Sequence, residues 1–260
     1  MDADTPMRRL IVAVDVHRYS RRDPLAQVDA QKALIEALDH AAAKAGLDRT
    51  AWHRQSQGDG ELAILPADVD EALVVADFVE ELTKRLRRQN RQLRRETRLR
   101  MRAAIHSGVL SMGANGYAGP GPVETCRLLD AAPLKDALAA ADDADLAVIV
   151  SDRLYRDIVE PGFRGLQPKQ FWPVRVIVKE YDGTGYITVP GQEPARTSGE
   201  LPAVTPAPPP TPPPPQPAGG PPAASTHITV TSNGSGDAFA GDKNITKTYY
   251  GVGDHGRRRR

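Results

Sequence analysis

Gln57-Gly58-Asp59-Gly60-Glu61 is the stretch whose reading decides the fold. Trp52 precedes it and Leu62-Ala63-Ile64-Leu65 follows. A Gly-Asp-Gly between two short apolar runs predicts a tight hairpin turn, because glycine accepts positive φ and aspartate tolerates it. The same residues fit a plain structural turn. A second acid adds chemistry: Asp15 ends another apolar run, Leu10-Ile11-Val12-Ala13-Val14. Two carboxylates at the ends of neighbouring strands suit a hard divalent cation, since Mg²⁺ takes one or two carboxylates and completes its shell with substrate phosphates.

Working outward, Arg8 to Asp15 reads as a strand apolar enough for the centre of a sheet. Pro24 suits a helix start, and Leu25, Val28, Leu34, Ile35, Leu38 and Ala42 approximate a helical stripe that Gly46 ends. Thr50–Gln57 and Glu61–Leu65 form the hairpin. A long helix is expected over 68–95, capped by Asp68, apolar in front and densely basic behind, from Lys84 to Arg95. With no aromatic residue interleaved, that basic run reads as a solvated helix end rather than a nucleic-acid surface. Leu99–His106 is a strand, and Gly113, Asn115 and Gly116 suit a hairpin tip. Gly119-Pro120-Gly121-Pro122 reads as a rigid turn, Val123–Ala140 as a helix interrupted near Pro133, and Leu146–Val150 as a buried strand. A short helix from Asp152 and two strands around a turn at Asp182-Gly183 follow. Strands alternating with helices and antiparallel returns indicate an α/β sandwich, ferredoxin-like, with a mixed sheet and helices on one face.

Composition bounds the rest. The 260-residue chain carries a net charge of +1, so no global field points to nucleic acid or membrane. Its one cysteine, Cys126, permits no intramolecular disulfide and no cysteine-rich zinc site; on an apolar helix face it reads as core packing. The run Leu10–Val14 is too short for a membrane span, and a cytoplasmic location is expected. Many of the 23 prolines fall between Pro190 and Pro222, which sets the domain plan. Residues 1–7 are a leader and 8–190 the folded domain. Residues 191–225 are a disordered proline-rich linker of polyproline II type, a spacer rather than a ligand for proline-binding modules. Residues 226–260 are a β-prone tail with a basic end. Its segment 226–251 alternates in part and holds glycine and asparagine without proline, so it could add a strand to a partner protein or assemble with copies of itself. A disordered tail fits the same residues.

The motifs resemble one family. Ile11-Val12-Ala13-Val14-Asp15-Val16-His17-Arg18-Tyr19-Ser20 is similar to the first strand and turn of class III nucleotidyl cyclase domains, and Gln57-Gly58-Asp59-Gly60 resembles their hairpin. Arg102-Ala-Ala-Ile-His106-Ser-Gly108 resembles the family's Arg-x-Gly-Ile-His-x-Gly strand. Val123-Glu-Thr-Cys-Arg127 resembles its Asn-x-x-x-Arg helix, and Val178-Lys179 falls where it has a late Lys-Gly. The likeness runs over about residues 8–190 in the family's order. Within the family, the chain looks most like a divergent group from bacterial signalling and conflict proteins.

The resemblance implies a site. Asp15 and Asp59 would hold Mg²⁺ or Mn²⁺, two ions in an active enzyme. Gln55, Gly58, Arg127 and Lys179 would contact a nucleoside triphosphate, and Arg127 and Lys179 would neutralise phosphate charge during cyclisation. A homodimer would complete the site. Four positions depart from the family: Gln55 stands for the base-reading Lys, Val123 for the ribose-orienting Asn, Arg18 for a Gly and Glu180 for a Gly. Two functions follow, a cyclase or a degenerate cyclase-fold module that binds a nucleotide or a partner. His17 and His106 could be ligands, but a strand-end histidine without a second one nearby reads as a satisfied polar residue.

Overall fold

The computed structural model describes residues 5–114 and 116–192. The expectations for most of the linker and for all of the tail therefore lie outside the described residues. Eight strands form one mixed sheet: β1 (Met7–Val16), β2 (His53–Ser56), β3 (Gly60–Ile64), β4 (Met101–Gly113), β5 (Gly116–Ala118), β6 (Leu146–Ser151), β7 (Trp172–Val178) and β8 (Tyr181–Thr188). Their order is β2-β3-β1-β4-β6-β8-β7, with β5 returning against β4. β4 and β6 run parallel, and every other pair is antiparallel.

β1 is apolar from Leu10 to Val14 because both of its faces are covered there. Leu10, Val12, Val14 and Val16 face one core with α1 (Pro24–Lys44) and α2, which spans 71–90 with a π-helical turn at Val74–Phe78. Ile11 and Ala13 face a second core under α3 (Pro120–Leu129) and α4 (Ala132–Ala140). The mixed α+β sheet of cyclase type is as expected, but helices cover both faces rather than one. Leu128, Leu134 and Leu138 form a second apolar stripe that needs a sheet face of its own.

Several local expectations are corrected. The buried stripe of α1 is mostly small: Ala30, Leu34, Ala37, Leu38, Ala41 and Ala42. Leu25 and Val28 are exposed, since the first turn of α1 projects past the sheet core. The cap of α2 is Asp70, not Asp68; its carboxylate accepts from the Leu73 amide at 3.1 Å. The helix stops at Asn90 rather than Arg95. The buried Asn90 amide donates to the Leu99 carbonyl (2.8 Å) and accepts from the Leu99 amide (2.9 Å), which turns the chain into β4. Gly119-Pro120-Gly121-Pro122 opens α3 instead of forming a turn, with Pro120 at the first helical position, where its missing N–H costs nothing.

The last hairpin turns at Lys179-Glu180, not Asp182-Gly183. Val178 pairs with Tyr181, and Asp182 sits inside β8, ion-paired to Arg175 at 2.7 Å. That register keeps Val174, Val178 and Tyr181 all packed on the second core. A turn three residues later would break it, since a strand's side-chain period is two.

Candidate functional site

The Gly-Asp-Gly turn joins β2 to β3 as the sequence predicts. Gly58 has φ +71°, in the left-handed region glycine favours. The Gln57 amide donates to the Gly60 carbonyl at 2.9 Å, and the Val16 amide donates to the Asp59 carbonyl at 2.9 Å. The second bond ties the tip of the hairpin to the end of β1. Gly60 pairs with Asp15, and a Cβ at Gly60 would run into the Val14 carbonyl, so β1 and β3 approach this closely only with glycine there.

Asp15 shares the parity of Ile11 and Ala13 and lies on the α3 side of the sheet, opposite Arg102 on β4. Both carboxylate oxygens accept from the Arg102 guanidinium, Oδ1 from Nε at 2.9 Å. Burial raises the Asp15 pKa to about 6; Arg102 pulls it down, and the charges of Asp59 and Asp130 push it up. Asp15 on β1 and Asp59 at the hairpin tip thus stand at one end of the sheet, while Asp130, at the end of α3, is exposed and pairs with Lys135 at 3.2 Å. Among the described residues, no group of three or more metal-ligating side chains has metal-binding geometry. Asp15 and Asp59 are the residues that would hold a Mg²⁺-class cation, which takes its remaining ligands from phosphates; both oxygens of Asp15 are engaged by Arg102.

The other candidate residues form a second group. Arg127 on α3 is mostly buried; its terminal nitrogen lies 3.8 Å from the Glu180 carboxylate, and its Nε has no hydrogen-bond partner among the described residues. Lys179 is exposed at the hairpin tip beside Glu180, with φ +53°. No hydrogen bond or ion pair joins Arg127 or Lys179 to Asp15 or Asp59 among the described residues. Gln55 is exposed on β2, and Val123 is exposed on the outer side of α3. Gln57 reaches the half-buried Cys126, whose pKa burial raises. Two residues here are not singled out by the sequence alone. Arg102 was visible only as part of a strand motif, and its partnership with Asp15 depends on the β1–β4 register. Asp130 carries no signal of its own in the sequence.

Neither histidine is the fully satisfied polar residue expected: among the described residues, His17 Nε2 and His106 Nδ1 are buried without a hydrogen-bond partner. His17 follows β1, and burial with the nearby Arg100, Arg18, Arg102 and Arg21 lowers its pKa to about 4. His106 lies under α3 with Nε2 3.3 Å from a Glu124 oxygen and Nδ1 buried without a partner. Burial, then Arg8 and Arg153, lowers its pKa from 6.5 to about 4, so at neutral pH the ring is neutral and its contact with Glu124 is not an ion pair. The unfolded chain then binds more protons than the native one between these two values. The contribution of His106 is complete above pH 6.5 and is lost as pH falls towards 4, up to about 3 kcal/mol. Asp15 acts oppositely, since its raised pKa makes the native state take up a proton between pH 3.8 and about 6. The test is therefore a difference: urea stability from pH 7 to pH 4 should fall less steeply in His106→Gln than in the parent. Equal slopes would remove His106 from the account.

The architecture is that of class III adenylate and guanylate cyclase catalytic domains. The guanylyl cyclase Cya2 superposes with a TM-score of 0.50 at 16% identity, covering 75% of this chain and 98% of that chain. An adenylate/guanylate cyclase/hydrolase from Silicibacter pomeroyi superposes with a TM-score of 0.50 at 19% identity, covering 72% of this chain and 99% of that one. No protein-family model matches the sequence, and no curated protein matches it. At these identities the likeness establishes the fold. No helix among the described residues is long and apolar enough to cross a membrane.

Proposed function

We propose that the domain over 8–190 is a cyclase-fold signalling module that binds a nucleoside triphosphate together with Mg²⁺ or Mn²⁺, and that it binds rather than rapidly cyclises it. The observation that carries this is the convergence of Asp15 and Asp59 at one end of a cyclase-type sheet, tied by the Val16–Asp59 backbone bond. A bound cation would supply charge neutralisation at the phosphate oxygens and would lower the pKa of a hydroxyl it coordinates. Asp15 and Asp59 hold it, and Arg127 and Lys179 contribute positive charge to the phosphates, in a site completed across a homodimer. Gly58 lets the hairpin backbone approach the ligand, and Gln55 faces the base. Val123 has no group to orient a ribose, which favours binding over turnover; Arg102 would have to release an Asp15 oxygen to the cation. The retained pair of aspartates favours cyclisation as the second reading. Residues 191–225 serve as a spacer to a tail over 226–260 that recruits or assembles partners.

The full chain is titrated with ATP and with GTP, with and without Mn²⁺, beside Asp59→Ala, and the mixtures are analysed for cyclic product. Metal-dependent binding that Asp59→Ala abolishes, without product, is the expected result. Binding indifferent to both metal and Asp59 would sink the site, and accumulating cyclic nucleotide would replace the binding module with an enzyme.

A further inference from the structure

A second concave site lies where β1 leaves the sheet and β4 enters it. The cavity, about 410 Å³, is lined by six arginines: Arg18, Arg21, Arg22, Arg95, Arg98 and Arg100. The lining holds a single carboxylate, that of Glu96. The chain gathers these arginines from two loops that its own pairing joins. The His17 amide donates to the Arg100 carbonyl at 2.8 Å, which sets 17–22 against 95–100.

Half of these guanidiniums have structural duties. Arg100 is buried and donates to the carbonyls of Ala144, Leu138 and Ala141. Arg22 donates to the Arg98 carbonyl at 2.7 Å, and Arg95 pairs with Asp142. Arg18, Arg21 and Arg98 have no side-chain hydrogen bond and no ion pair among the described residues. Buried without partners beside them are His17 Nε2 and Arg98 Nε. Arg18 also holds a left-handed backbone, φ +57°, that a bulky residue adopts at some cost. Like charges crowded into a cleft repel one another, and an anion placed among them removes that repulsion.

We propose that this cleft binds a compact polyphosphate chain, inorganic or carried by a nucleotide, through the Arg18, Arg21 and Arg98 guanidiniums. Guanidiniums take phosphate oxygens in pairs, and several converging in one cavity match a ligand with several phosphoryl groups. The volume lies within the range of small-ligand pockets. No Phe, Tyr or Trp lines the cleft, so it offers no platform for stacked bases, and a single-stranded nucleic acid is disfavoured. The site needs no metal. It uses neither Asp15 nor Asp59, and so it does not depend on the function proposed above.

The test is calorimetric titration of the full chain, in EDTA, with sodium tripolyphosphate, pyrophosphate, orthophosphate and ATP. Saturable binding is expected, tightest for tripolyphosphate and weakened by added salt. If ATP matches tripolyphosphate, the ligand is the phosphate chain of a nucleotide as readily as the free ion; if it binds markedly less, the inorganic chain is the ligand. Arg18→Gly, which suits the left-handed backbone, and the exposed Arg21→Gln should each weaken binding about tenfold, the worth of one charge-assisted hydrogen bond. Arg98→Lys, which keeps the charge and loses the fork, should weaken it less, and Asp59→Ala should leave it unchanged. No saturable binding overturns the proposal, as does binding that survives the two arginine substitutions in folded protein. In a parallel titration with Mg²⁺ in place of EDTA, binding that appears only then and is lost in Asp59→Ala assigns the anion to the aspartate site instead. A single-stranded oligonucleotide that binds more tightly than tripolyphosphate also overturns it, in favour of an extended surface.

Discussion

Arg49→Ala is expected to destabilise the domain by about 3–5 kcal/mol, because it leaves a buried carboxylate without its partner. Arg49 and Glu61 are each about 5% exposed at the side chain, and the guanidinium meets Glu61 twice, at 2.7 and 3.2 Å. Its Nε also donates to Asp39 at 2.6 Å, and it lies 5.6 Å from the centre of the Trp52 ring. Asp39 is half exposed and adds little by itself, since solvent screens it. Glu61 directly follows the Gly-Asp-Gly turn, so the pair anchors the base of the hairpin that presents Asp59. The size of the loss reflects an orphaned charge rather than the net worth of the pair. The double replacement Arg49→Met with Glu61→Leu should therefore recover most of the stability. Urea unfolding of the three proteins decides it. A single variant within about 1 kcal/mol of the parent would mean that water reaches Glu61.

Phe78→Ala should cost a similar amount, about 3–5 kcal/mol, for a different reason. Phe78 is 1% exposed, in the π-helical turn of α2, and its ring meets Trp52 edge-on at 5.7 Å between centroids. Trp52 precedes β2, so this contact fastens α2 to the same hairpin, on the same face of the sheet as the Arg49–Glu61 pair. Removing the ring leaves a cavity that a sheet and two helices cannot close. Phe78→Leu, which keeps most of the volume, should lose far less. The denaturant midpoint should shift while its slope stays constant, the sign of a change in stability rather than in compactness. Equal losses for Ala and Leu would mean that the site does not depend on filled volume.

Much of the fold was legible in the chain because its signals are local. Leu10 to Val14 followed by Asp15 is a central strand whichever partners it finds. Pro24 and Gly46 bound α1 through backbone geometry alone. What misled were patterns with more than one local solution. Leu25 and Val28 have the spacing of a buried stripe, yet only the position of the sheet says where that stripe begins. Asp182-Gly183 is a good turn sequence, but Lys179-Glu180 lets Val178 and Tyr181 share a core. The basic run from Lys84 to Arg95 reads as a solvated helix end. Asn90 stops the helix early and delivers Arg95 to a cleft with arginines more than seventy residues away in sequence.

The sequence by itself determined the elements, their order, and the turn that carries Asp59, since hydrophobic period, proline and glycine act over a few residues. Only the tertiary structure decided that helices cover both faces of the sheet, that Arg102 engages Asp15, and that Arg49 neutralises Glu61. It also decided that six arginines meet in one cavity. Each of these is a contact between residues distant in the chain, fixed by strand register and packing. No local pattern encodes it, because the energy that selects it appears only when the two segments are brought together.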